Sequence, residues 1–491
     1  MTSPHPSPPH PAPRGAAVFA LALLLSSAAA KASDLLPAGP GASTQTVRFA
    51  EMEALLKAVD GKGPVAVSVE GKSVSGRPLY AVRLKRGRGD WRALLYAQQH
   101  GDEVAGKDAL LYLIRDIAAA PGRLPADLDL WIMPMVNPDG AEAGTRRNAA
   151  GADLNRDHMA LEQPETQALH RLCLRVRPHV ALDCHEFLKG PSGKDWGYRP
   201  VITMDGMDNP LLDPGLRTLA ARWVERIADA LEGAGHAFER YWVGGVPPEE
   251  EQRHSAPEID TGLNSLAMFG GLSFIAESNR DRPLGERVAA YRTLFGALLN
   301  LREPAVAQAL SPGAKTEAPA FIPTNYFWAN PGAQVTPFRV VDRATGKTAV
   351  VRTPNMMTEL VVKRSVTAPR GYAVPVSAAD AFRPLLERHA IPFEQTSSSR
   401  TVRAELAKLE RVEDSFDELY ERYEGRQIVR LLAPSASTLP PGSLFIPLTG
   451  EAAARAALVL EPAQLYGLYQ YPRFKALIGA DGLCPVWRVV E

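Results

Sequence analysis

The sequence predicts an α/β fold in which helices cover both faces of a sheet. Short apolar segments with strand character alternate with amphipathic helical segments over the first 303 residues, which is typical of strands buried on both sides. Three polar residues, His100, His185 and Glu277, each follow directly on a predicted strand. Because ligands collect at the carboxyl edge of the strands in open α/β sheets, we expect these three residues to share one edge.

The individual elements are predicted from apolar periodicity and from turn residues. Val65–Val69 and Leu79–Arg86 flank the turn Gly71–Arg77, so they are predicted to form a β-hairpin. The further predicted strands are Arg92–Gln98, Leu128–Met135, Val180–Cys184 and Leu272–Ala276, and the predicted helices are Phe49–Val59, Val104–Ile117, Pro164–Val176, Leu212–Glu232 and Gly285–Leu301.

A change of composition divides the chain. Residues 304–317 are rich in Ala, Pro, Glu and Lys and are predicted to be a linker between a domain at 33–303 and an accessory α+β domain at 318–491. No repeat and no cluster of catalytic residue types is visible in this last part, so its role is not predicted. Its predicted strands are Gln334–Val341, Thr348–Thr353, Glu359–Val366, Ile428–Leu432 and Leu444–Leu448, and its predicted helices are Ala379–His389 and Ala452–Val459.

Residues 1–32 are predicted to be a cleaved export signal. Arg14 precedes the apolar run Ala16–Leu25, and small residues suited to a cleavage site follow up to Ala32. The run is too short to span a bilayer comfortably, so no stable membrane anchor is expected. The protein is therefore expected in the periplasm or outside the cell. A disordered leader rich in Pro and Ala is the alternative interpretation.

Composition excludes some partners. The chain has 491 residues, 45% of them hydrophobic, which is enough for more than one core. Lys+Arg and Asp+Glu are equal at 55 each and no long basic stretch occurs, so no bulk attraction to nucleic acid or to an anionic membrane is expected. The three cysteines, Cys173, Cys184 and Cys484, permit at most one disulfide, for which Cys173 and Cys184 are a possible pair.

His100-Gly-Asp-Glu103 and the distant His185 supply three ligands for one divalent cation. This is the ligand count of a catalytic zinc site, which keeps its fourth position open for water, whereas structural sites are more often closed by four ligands. A capping Glu beside a polar His is the alternative for the first pair, and a satisfied core histidine is the alternative for His185. A second His-x-x-Glu pair, His236-Ala-Phe-Glu239, is interpreted as a surface coincidence because no predicted strand precedes it.

Further polar residues predict a substrate that carries an anionic group. Arg146, Asn155 and Arg156 lie in a loop-like stretch rich in Gly, Asn and Asp. A guanidinium group holds a carboxylate through two hydrogen bonds, and arginines near a cation site indicate that anions normally lie between them. Glu277 is placed to take a proton from a metal-bound water, whose pKa zinc lowers toward neutrality. A solvent-exposed Glu at the end of a strand is the alternative.

Taken together, these residues resemble the zinc carboxypeptidases of the carboxypeptidase A-like family. The resemblance covers roughly Gly71 to Arg302 and rests on the order and spacing of His100-x-x-Glu103, Asn137-Pro-Asp139-Gly140, Arg146-Arg-Asn148, Asp153-Leu-Asn155-Arg156-Asp157, Asp183-Cys-His185 and Phe274-Ile-Ala-Glu277. It implies a mixed, mainly parallel α/β sheet with helices on both faces.

The same resemblance implies a role for each candidate site residue. One zinc ion would be held by His100, Glu103 and His185. Arg146 would polarise the scissile carbonyl and stabilise the oxyanion, and Glu277 would act as general base and then as general acid. The substrate would be a peptide with a free C-terminal carboxylate, cell-wall peptides being one candidate. Its carboxylate would be clamped by the pair Asn155 and Arg156.

Two departures from the family pattern concern substrate selection. The family often places a mobile tyrosine a couple of dozen residues before the catalytic glutamate, here near Ser255, and this chain has none between Tyr241 and Glu277. His254 and Asn264 are the candidates for that space. In the same stretch, the acids Glu258 and Asp260 indicate either a pocket for a basic or diaminopimelate-like side chain or merely solvated loop charge.

Three functions are compatible with these residues. The first is an exported zinc-dependent metallocarboxypeptidase with Glu277 as general base. The second is a zinc-dependent deacylase of N-acyl amino acids, since desuccinylases and aspartoacylases have a similar ligand set. Export and the segment from Asn137 to Asn148 favour the peptidase. The third is a non-catalytic module that binds peptide C-termini, against which the presence of Glu277 argues. The released residue and the oligomeric state are not predicted.

Overall fold

The structure is a computed structural model that describes residue 36 and residues 45–187, 196–244, 247–311, 318–417 and 422–491. The predicted export signal lies outside the described residues, as does part of the predicted linker, residues 312–317. No helix in the described part of the chain is both long enough and apolar enough to cross a membrane. We refer to the described residues up to 311 as the first region and to those from 318 onward as the second region.

The first region alternates strands and helices. Its strands are β1 (Val65–Lys72), β2 (Pro78–Lys85), β3 (Trp91–Ala97), β4 (Leu128–Met133), β5 (Val180–Phe187), β6 (Trp196–Tyr198), β7 (Ile202–Gly206), β8 (Phe238–Arg240), β9 (Val243–Gly244), β10 (Gln252–Arg253) and β11 (Leu272–Asn279). Its helices are α1 (Phe49–Val59), α2 (Ala105–Ala119), α3 (Pro138–Ala143), α4 (Pro164–Val176), α5 (Pro214–Gly233), α6 (Gly262–Ala267), α7 (Leu284–Leu299) and α8 (Pro304–Ala309), with 3₁₀ turns at Pro121–Arg123 and Leu154–Arg156.

Eight of these strands form one mixed sheet with the order β1-β2-β4-β3-β5-β11-β7-β8. The central strands β4, β3, β5 and β11 run parallel to one another, while β2 is antiparallel to β1 and β4, and β7 is antiparallel to β11. Helices α1, α2, α5 and α7 bury their apolar faces in one core cluster, and α4 packs in a second cluster on the opposite face of the sheet. The predicted α/β class with helices on both faces is confirmed.

Two predicted strand ends are wrong, and both bear on the site. Strands β5 and β11 continue beyond their apolar residues, so His185 and Glu277 lie within these strands instead of just after them. The two residues are direct partners in the parallel ladder, and this pairing supplies the backbone hydrogen bonds that extend both strands. Only His100 follows its strand, since β3 ends at Ala97.

Strands β7 and β8 were not predicted from the sequence. β7 is only five residues long and includes Asp205 and Gly206, which are depleted in strands, so its pattern was too weak to predict. The three cysteines are free and buried, and the considered Cys173–Cys184 pair is not formed. Cys173 packs in the cluster with α4 and Cys184 in the cluster with α2, so the sheet separates them.

The second region is α+β and rich in strands, as predicted. Its strands are β12 (Phe321–Ala329), β13 (Thr336–Asp342), β14 (Thr348–Thr353), β15 (Met356–Met357), β16 (Glu359–Thr367), β17 (Gly371–Val374), β18 (Glu394–Gln395), β19 (Arg400–Glu405), β20 (Ala407–Asp417), β21 (Arg422–Leu431), β22 (Ser435–Leu439), β23 (Leu444–Pro447) and β24 (Trp487–Val489). Its helices are α9 (Val376–Arg388), α10 (Ala453–Leu460) and α11 (Pro472–Lys475), with 3₁₀ turns at Gly450–Ala452 and Leu468–Gln470. The largest sheet has the order β18-β23-β17-β24-β19-β22.

The two regions are in direct contact. β13 pairs with β6, and β15 pairs with β10, so two small sheets contain strands from both regions. Apolar residues of both regions also form one buried cluster. The first residues of the predicted linker form the short helix α8, in which Val306 is buried. The domain boundaries proposed from the sequence stay a prediction.

Candidate active site

The conformation of the loop after β3 is set by a positive φ angle and by a close contact between backbones. Gln98 adopts a positive φ of 58°, and its side-chain amide donates a hydrogen bond to the carbonyl of Gly101 at 2.8 Å. Gly101 lies so close to Gly140 that a Cβ added there would come within 2.0 Å of the Gly140 carbonyl carbon. Only glycine fits this contact. The segment that carries His100 and Glu103 is therefore held in place by close packing of one backbone on another.

His100, Glu103 and His185 converge at the carboxyl edge of the sheet. One potential ligand atom from each lies within 4.8 Å of the others. The Nδ1 atoms of both histidines are 2.7 Å from carboxylate oxygens of Glu103, and all three side chains are buried. Burial alone would raise the pKa of Glu103, but the two imidazoles bring it well below its usual value. The structure thus brings together the three predicted metal ligands with their donor atoms facing one another.

The orientation of the two imidazoles fits a metal site. His100 Nε2 is 3.1 Å from Asp153 Oδ1, and His185 Nε2 is 3.0 Å from Asp183 Oδ2. A carboxylate on the far nitrogen fixes the proton there and leaves the Nδ1 lone pair for a cation, as in most metal-bound histidines. Two imidazole nitrogens and one carboxylate are a donor set that zinc accepts. Asp183 is the partner that sequence reasoning could not assign to His185.

The other acid and histidine candidates have different contacts. Glu186 accepts a hydrogen bond from the N–H of Ala105 at 2.8 Å and forms an ion pair with Arg287. In the second His-x-x-Glu pair, Glu239 pairs with Arg339 at 2.7 Å and His236 lies 3.2 Å from the Thr293 hydroxyl. Among the described residues, this pair belongs to no cluster with the spacing of metal ligands.

Arg146 lines the same cavity as the metal ligands. Its Nε donates to Asp153 Oδ2 at 3.0 Å, and its Nη1 is 3.1 Å from His100 Nδ1. Burial lowers the pKa of this guanidinium, but Asp153 and Glu103 more than compensate, so the pKa is raised overall. Arg146 consequently brings a permanent positive charge to the rim of the candidate metal site.

The pair predicted to bind a carboxylate, Asn155 and Arg156, also lines the cavity. Asn155 is held through its Oδ1, which accepts from the N–H of Gly262 at 2.8 Å, while its Nδ2 lies 3.2 Å from His185 Nε2. Arg156 Nη1 donates to the Asn155 carbonyl at 2.6 Å, and its Nε is 4.0 Å from Asp260 Oδ2. These contacts place an amide and a guanidinium beside the metal ligands.

Asp153 connects these groups, a role that was not predicted from its sequence position. Besides His100 and Arg146, it contacts the N–H of Asn155, which donates to Asp153 Oδ1 at 3.0 Å and so begins the 3₁₀ turn Leu154–Arg156. Its position at the start of the Asp-Leu-Asn-Arg segment is the signal that was available. One buried carboxylate therefore orients a metal ligand, a cation and a turn.

Glu277 lies in the cavity beside His185, its partner in the sheet. It is only 7% exposed, so it is not the solvent-exposed Glu of the alternative interpretation. Burial raises the pKa of Glu277 to about 8, while a hydrogen bond with Tyr241 acts in the opposite direction. A cation held by the neighbouring ligands would lower this pKa toward neutrality, the range that suits a group that both accepts and donates a proton.

Tyr241 supplies the phenol that sequence reasoning did not find. It lines the cavity and contacts Glu277, although it is farther from Glu277 in sequence than the family spacing. The two residues considered for this space lie elsewhere. His254 Nδ1 is 2.8 Å from the Tyr241 carbonyl, and Asn264 Nδ2 donates to Asp208 at 3.0 Å. Both side chains are buried and hydrogen-bonded to other groups. Neither is among the residues that line the described cavity.

The remaining wall of the cavity is mostly uncharged. Glu258 lines a neighbouring cavity, and Asp260 faces Arg156, so neither supplies a free carboxylate to this wall. Besides the site residues described above, the lining contains Arg253, Glu186, which pairs with Arg287, and the uncharged residues Phe187, Val243, Ser255, Ala256, Thr261, Leu263 and Ile275. The cavity volume is about 150 Å³.

Comparisons with known proteins agree with this geometry. The family described as zinc carboxypeptidase matches residues 52–176. Carboxypeptidase 2 of Trichophyton rubrum is 26% identical over 425 residues, covering 78% of this chain and 76% of that protein. Carboxypeptidase 2 of Trichophyton tonsurans is 29% identical over 217 residues, covering 42% of this chain and 40% of that protein, so this match spans less than half of either chain.

Solved structures with a similar fold include a metallo-carboxypeptidase from Burkholderia cenocepacia. It is 22% identical, has a TM-score of 0.42, and the match covers 52% of this chain and 69% of that chain. The matched family and the curated relatives bear the same description, and the ligand, arginine and glutamate positions that define the resemblance meet in one cavity. By the match over residues 52–176 and by these relatives, the chain is similar to the zinc carboxypeptidase family of metallopeptidases.

Proposed function

We propose that the protein is an exported, zinc-dependent carboxypeptidase that hydrolyses the C-terminal peptide bond of peptides. The observation that carries this proposal is the joint placement of three elements in one cavity: the ligand triad, the buried carboxyl of Glu277 and the cationic side chains Arg146 and Arg156. A metal triad alone would serve many hydrolases. The cations beside it fit a substrate whose reacting carbonyl is next to a free carboxylate.

The residues of the triad would hold one zinc ion. When bound there, zinc supplies a Lewis acid that polarises a carbonyl and lowers the pKa of water. Asp153 and Asp183 keep both imidazoles in the orientation required for binding. Because the ligands are preassembled by their own hydrogen bonds, the protein has little side-chain rearrangement to make on binding the ion.

Arg146 is the group proposed to stabilise charge on the carbonyl oxygen. Its guanidinium is held by Asp153, and its Nη1 lies 3.1 Å from His100 Nδ1. Its charge is therefore oriented before the substrate arrives. A preoriented donor in a buried site stabilises a developing oxyanion more than solvent does. Asn155 and Arg156 then bind the terminal carboxylate, which sets the scissile bond one residue from the chain end.

Glu277 is proposed to move the proton. It takes a proton from the attacking water and delivers it to the amine that leaves, which requires a pKa near neutrality in each direction. Burial raises the pKa of Glu277 to about 8, and the Tyr241 hydrogen bond favours the ionised form that must act first. The same carboxyl thus serves as base and as acid.

The substrate's C-terminal side chain is proposed to be uncharged. Most of the cavity wall away from the metal is apolar or carries hydroxyl groups. The carboxylates of Asp205, Glu258 and Asp260 do not line the cavity. Asp205 already pairs with Arg240 at 2.9 Å. The expected preference is for small or medium neutral residues over lysine, arginine or diaminopimelate.

A direct test uses matched peptides with free and amidated C-termini. The purified chain is stripped with a chelator and reloaded with zinc, and released amino acids are identified by mass spectrometry. We expect single-residue release from free C-termini, restored by zinc, and no release from the amidated partners. Equal release from both would overturn the carboxylate clamp, and hydrolysis of N-acyl amino acids without peptide hydrolysis would establish the deacylase function instead.

Export is proposed from the sequence of residues 1–32. Cell fractionation of the full-length protein tests it, with Leu23→Arg in the apolar run as the variant. Export predicts a shorter mature chain outside the cytoplasm for the unaltered protein and an uncleaved, retained chain for the variant. An uncleaved cytoplasmic chain in both cases would contradict it.

A further inference from the structure

We infer that the second region positions the wall of the active site that receives the substrate's C-terminal side chain, with Trp328 as the main positioning residue. This inference rests on the proposed function, because the side chain in question belongs to a peptide substrate. It gives the second region, whose sequence shows no catalytic cluster, a part in substrate selection.

The wall is the segment from Arg253 to Pro257. Ser255 and Ala256 line the cavity, as does Thr261 a few residues later. The N–H of Gly262, next to Thr261, donates to Asn155, so this stretch adjoins the residues proposed to bind the terminal carboxylate. A residue whose carboxylate is held there must place its side chain against this wall.

The first region holds the inner side of the wall. The Ser255 hydroxyl donates to Asp205 Oδ2 at 2.8 Å, and Asn264 Nδ2 donates to the Ala256 carbonyl at 2.9 Å. These bonds tie the segment to strand β7 and helix α6. They leave the Ser255 carbonyl for a partner on the other side.

That partner comes from the second region. The indole N–H of Trp328, on β12, donates to the Ser255 carbonyl at 2.8 Å. The Trp328 side chain is only 7% exposed, so this carbonyl has little access to water as a substitute. Loss of the donor would leave a buried carbonyl without this partner, which is unfavourable and would allow the wall to shift.

Two further contacts attach the same wall to the second region. Strand β15 runs parallel to β10, with Met356 opposite Gln252 and Met357 opposite Arg253. In addition, Asn209 Nδ2 donates both to the Pro257 carbonyl at 2.8 Å and to the Tyr326 hydroxyl at 3.1 Å. The second region therefore contacts the wall directly at its start and its middle, and reaches its end through Asn209 of the first region.

Trp328 also connects, through His254, to Tyr241 in the lining of the cavity. Its ring packs edge to face against His254, with ring centroids 5.3 Å apart. His254 Nδ1 is in turn 2.8 Å from the carbonyl of Tyr241, which lines the cavity beside Glu277. Within the described part of the chain, the hydrogen bond and the ring contact of Trp328 involve neither a metal ligand nor Glu277. Its direct contacts therefore act on the position of the pocket wall.

The test is Trp328→Phe, which removes the N–H and keeps an aromatic ring. We measure kcat and KM for peptides that differ only in a C-terminal Ala, Leu or Phe. The expected result is a rise in KM of about threefold to tenfold for the preferred residue and a similar loss of discrimination among the three, as expected for one buried hydrogen bond. The kcat and the zinc content should stay within about twofold of the wild type. The pH dependence of kcat should keep its shape.

Trp487→Phe is the matched control, because this tryptophan lies on β24 in a separate apolar cluster of the second region. It should change none of these quantities. Tyr326→Phe removes only a hydroxyl and should shift KM in the same direction by a smaller factor, which keeps the inference testable if Trp328→Phe does not fold. Hydrogen exchange at residues 253–257 supplies a readout that does not depend on activity and should be faster in the Trp328 variant.

The outcomes separate the inference from the function on which it rests. No amino-acid release by the wild type would refute the proposed carboxypeptidase activity, while hydrogen exchange would still test the positioning of the wall. Active wild type together with folded Trp328 and Tyr326 variants that keep the same KM, selectivity and exchange would overturn the inference alone.

Discussion

The two regions of the molecule differ in how their function is encoded. In the first region the proposed chemistry is carried by side chains at particular spacings, such as His100 and Glu103 in the loop before α2. In the second region the contribution to the site is made by contacts to backbone, such as the indole of Trp328 on the carbonyl of Ser255. The comparison teaches that residue types reveal a catalytic centre, whereas a supporting region can be recognised only once its neighbours in space are known.

The largest expected effect is on kcat/KM and comes from a substitution in the first region. Glu277→Gln keeps the shape of the side chain but cannot accept a proton, so kcat/KM should fall by about a hundredfold to ten-thousandfold. Zinc content, measured by mass spectrometry, should be unchanged because Glu277 is not one of the three ligand residues. Glu258→Gln, in the neighbouring cavity, is the control. Undiminished turnover in Glu277→Gln would remove this residue from the mechanism.

The next effect concerns substrate binding in the first region. Arg156→Ala removes the guanidinium proposed to hold the terminal carboxylate and should raise KM by about tenfold to a hundredfold, in line with loss of a charged hydrogen bond. The exposed Arg147→Ala should leave KM unchanged. Kinetics on a peptide series settle the point, and an equal KM for both variants would argue against the clamp.

A stability measurement then tests whether the two regions unfold together. Arg488 is 2% exposed and its Nε is 3.0 Å from Glu461 Oε2 in the second region. Arg488→Ala should lower the free energy of unfolding by about 3 kcal/mol, because it leaves a buried carboxyl without its charged partner. The control is Arg403→Ala, which removes an exposed pair with Glu491 and should cost less than about 1 kcal/mol.

Denaturation curves of this variant show whether the two regions unfold in one transition or in two. One transition that shifts as a whole would mean that the regions form a single cooperative unit, as expected from their shared apolar cluster. A second transition that stays in place would assign independent stability to the first region. The zinc content of the folded variant should equal that of the wild type in either case.

The smallest effect concerns a histidine where the regions meet. His389 is fully buried, its Nε2 is 2.8 Å from the carbonyl of Met159, and burial lowers its pKa from 6.5 to about 4. Below pH 6.5 the unfolded chain binds a proton that the folded chain does not, so this residue lowers stability as pH falls toward 4. His389→Gln should reduce the loss of unfolding free energy between pH 6 and 5 by about 1 kcal/mol. Parallel pH dependences in urea titrations would contradict this assignment.

Much of the first region could be predicted from the sequence because its elements are long and periodic. Helices α1 and α4 have the predicted bounds, and the seven candidate site residues meet around one cavity. Short or polar elements gave no such signal. Strand β7 contains Asp and Gly, and the ends of β5 and β11 are polar residues whose strand conformation depends on pairing with each other.

The residues that were missed share a physical reason. Asp153, Tyr241 and Trp328 act through contacts with residues that are distant in sequence, and neither their type nor their spacing predicts those contacts. Asp153 differs from the other two because it begins the Asp-Leu-Asn-Arg segment, a position from which its contact with the turn Leu154–Arg156 could have been predicted. For Tyr241, the intervening loop changes the spacing, so the phenol arrives from a different position along the chain. In such cases the fold determines the role.

The close contact between Gly101 and Gly140 has a consequence for how the enzyme acquires its metal. Since backbone packing holds the ligand loop, the ion has little chain to order, and loading should be a late event that needs no refolding. We expect the folded apoprotein to take up zinc rapidly from a dilute pool and to release it again without losing its secondary structure. Metal supply in its surroundings would then regulate how much of the enzyme is active, independently of how much is made.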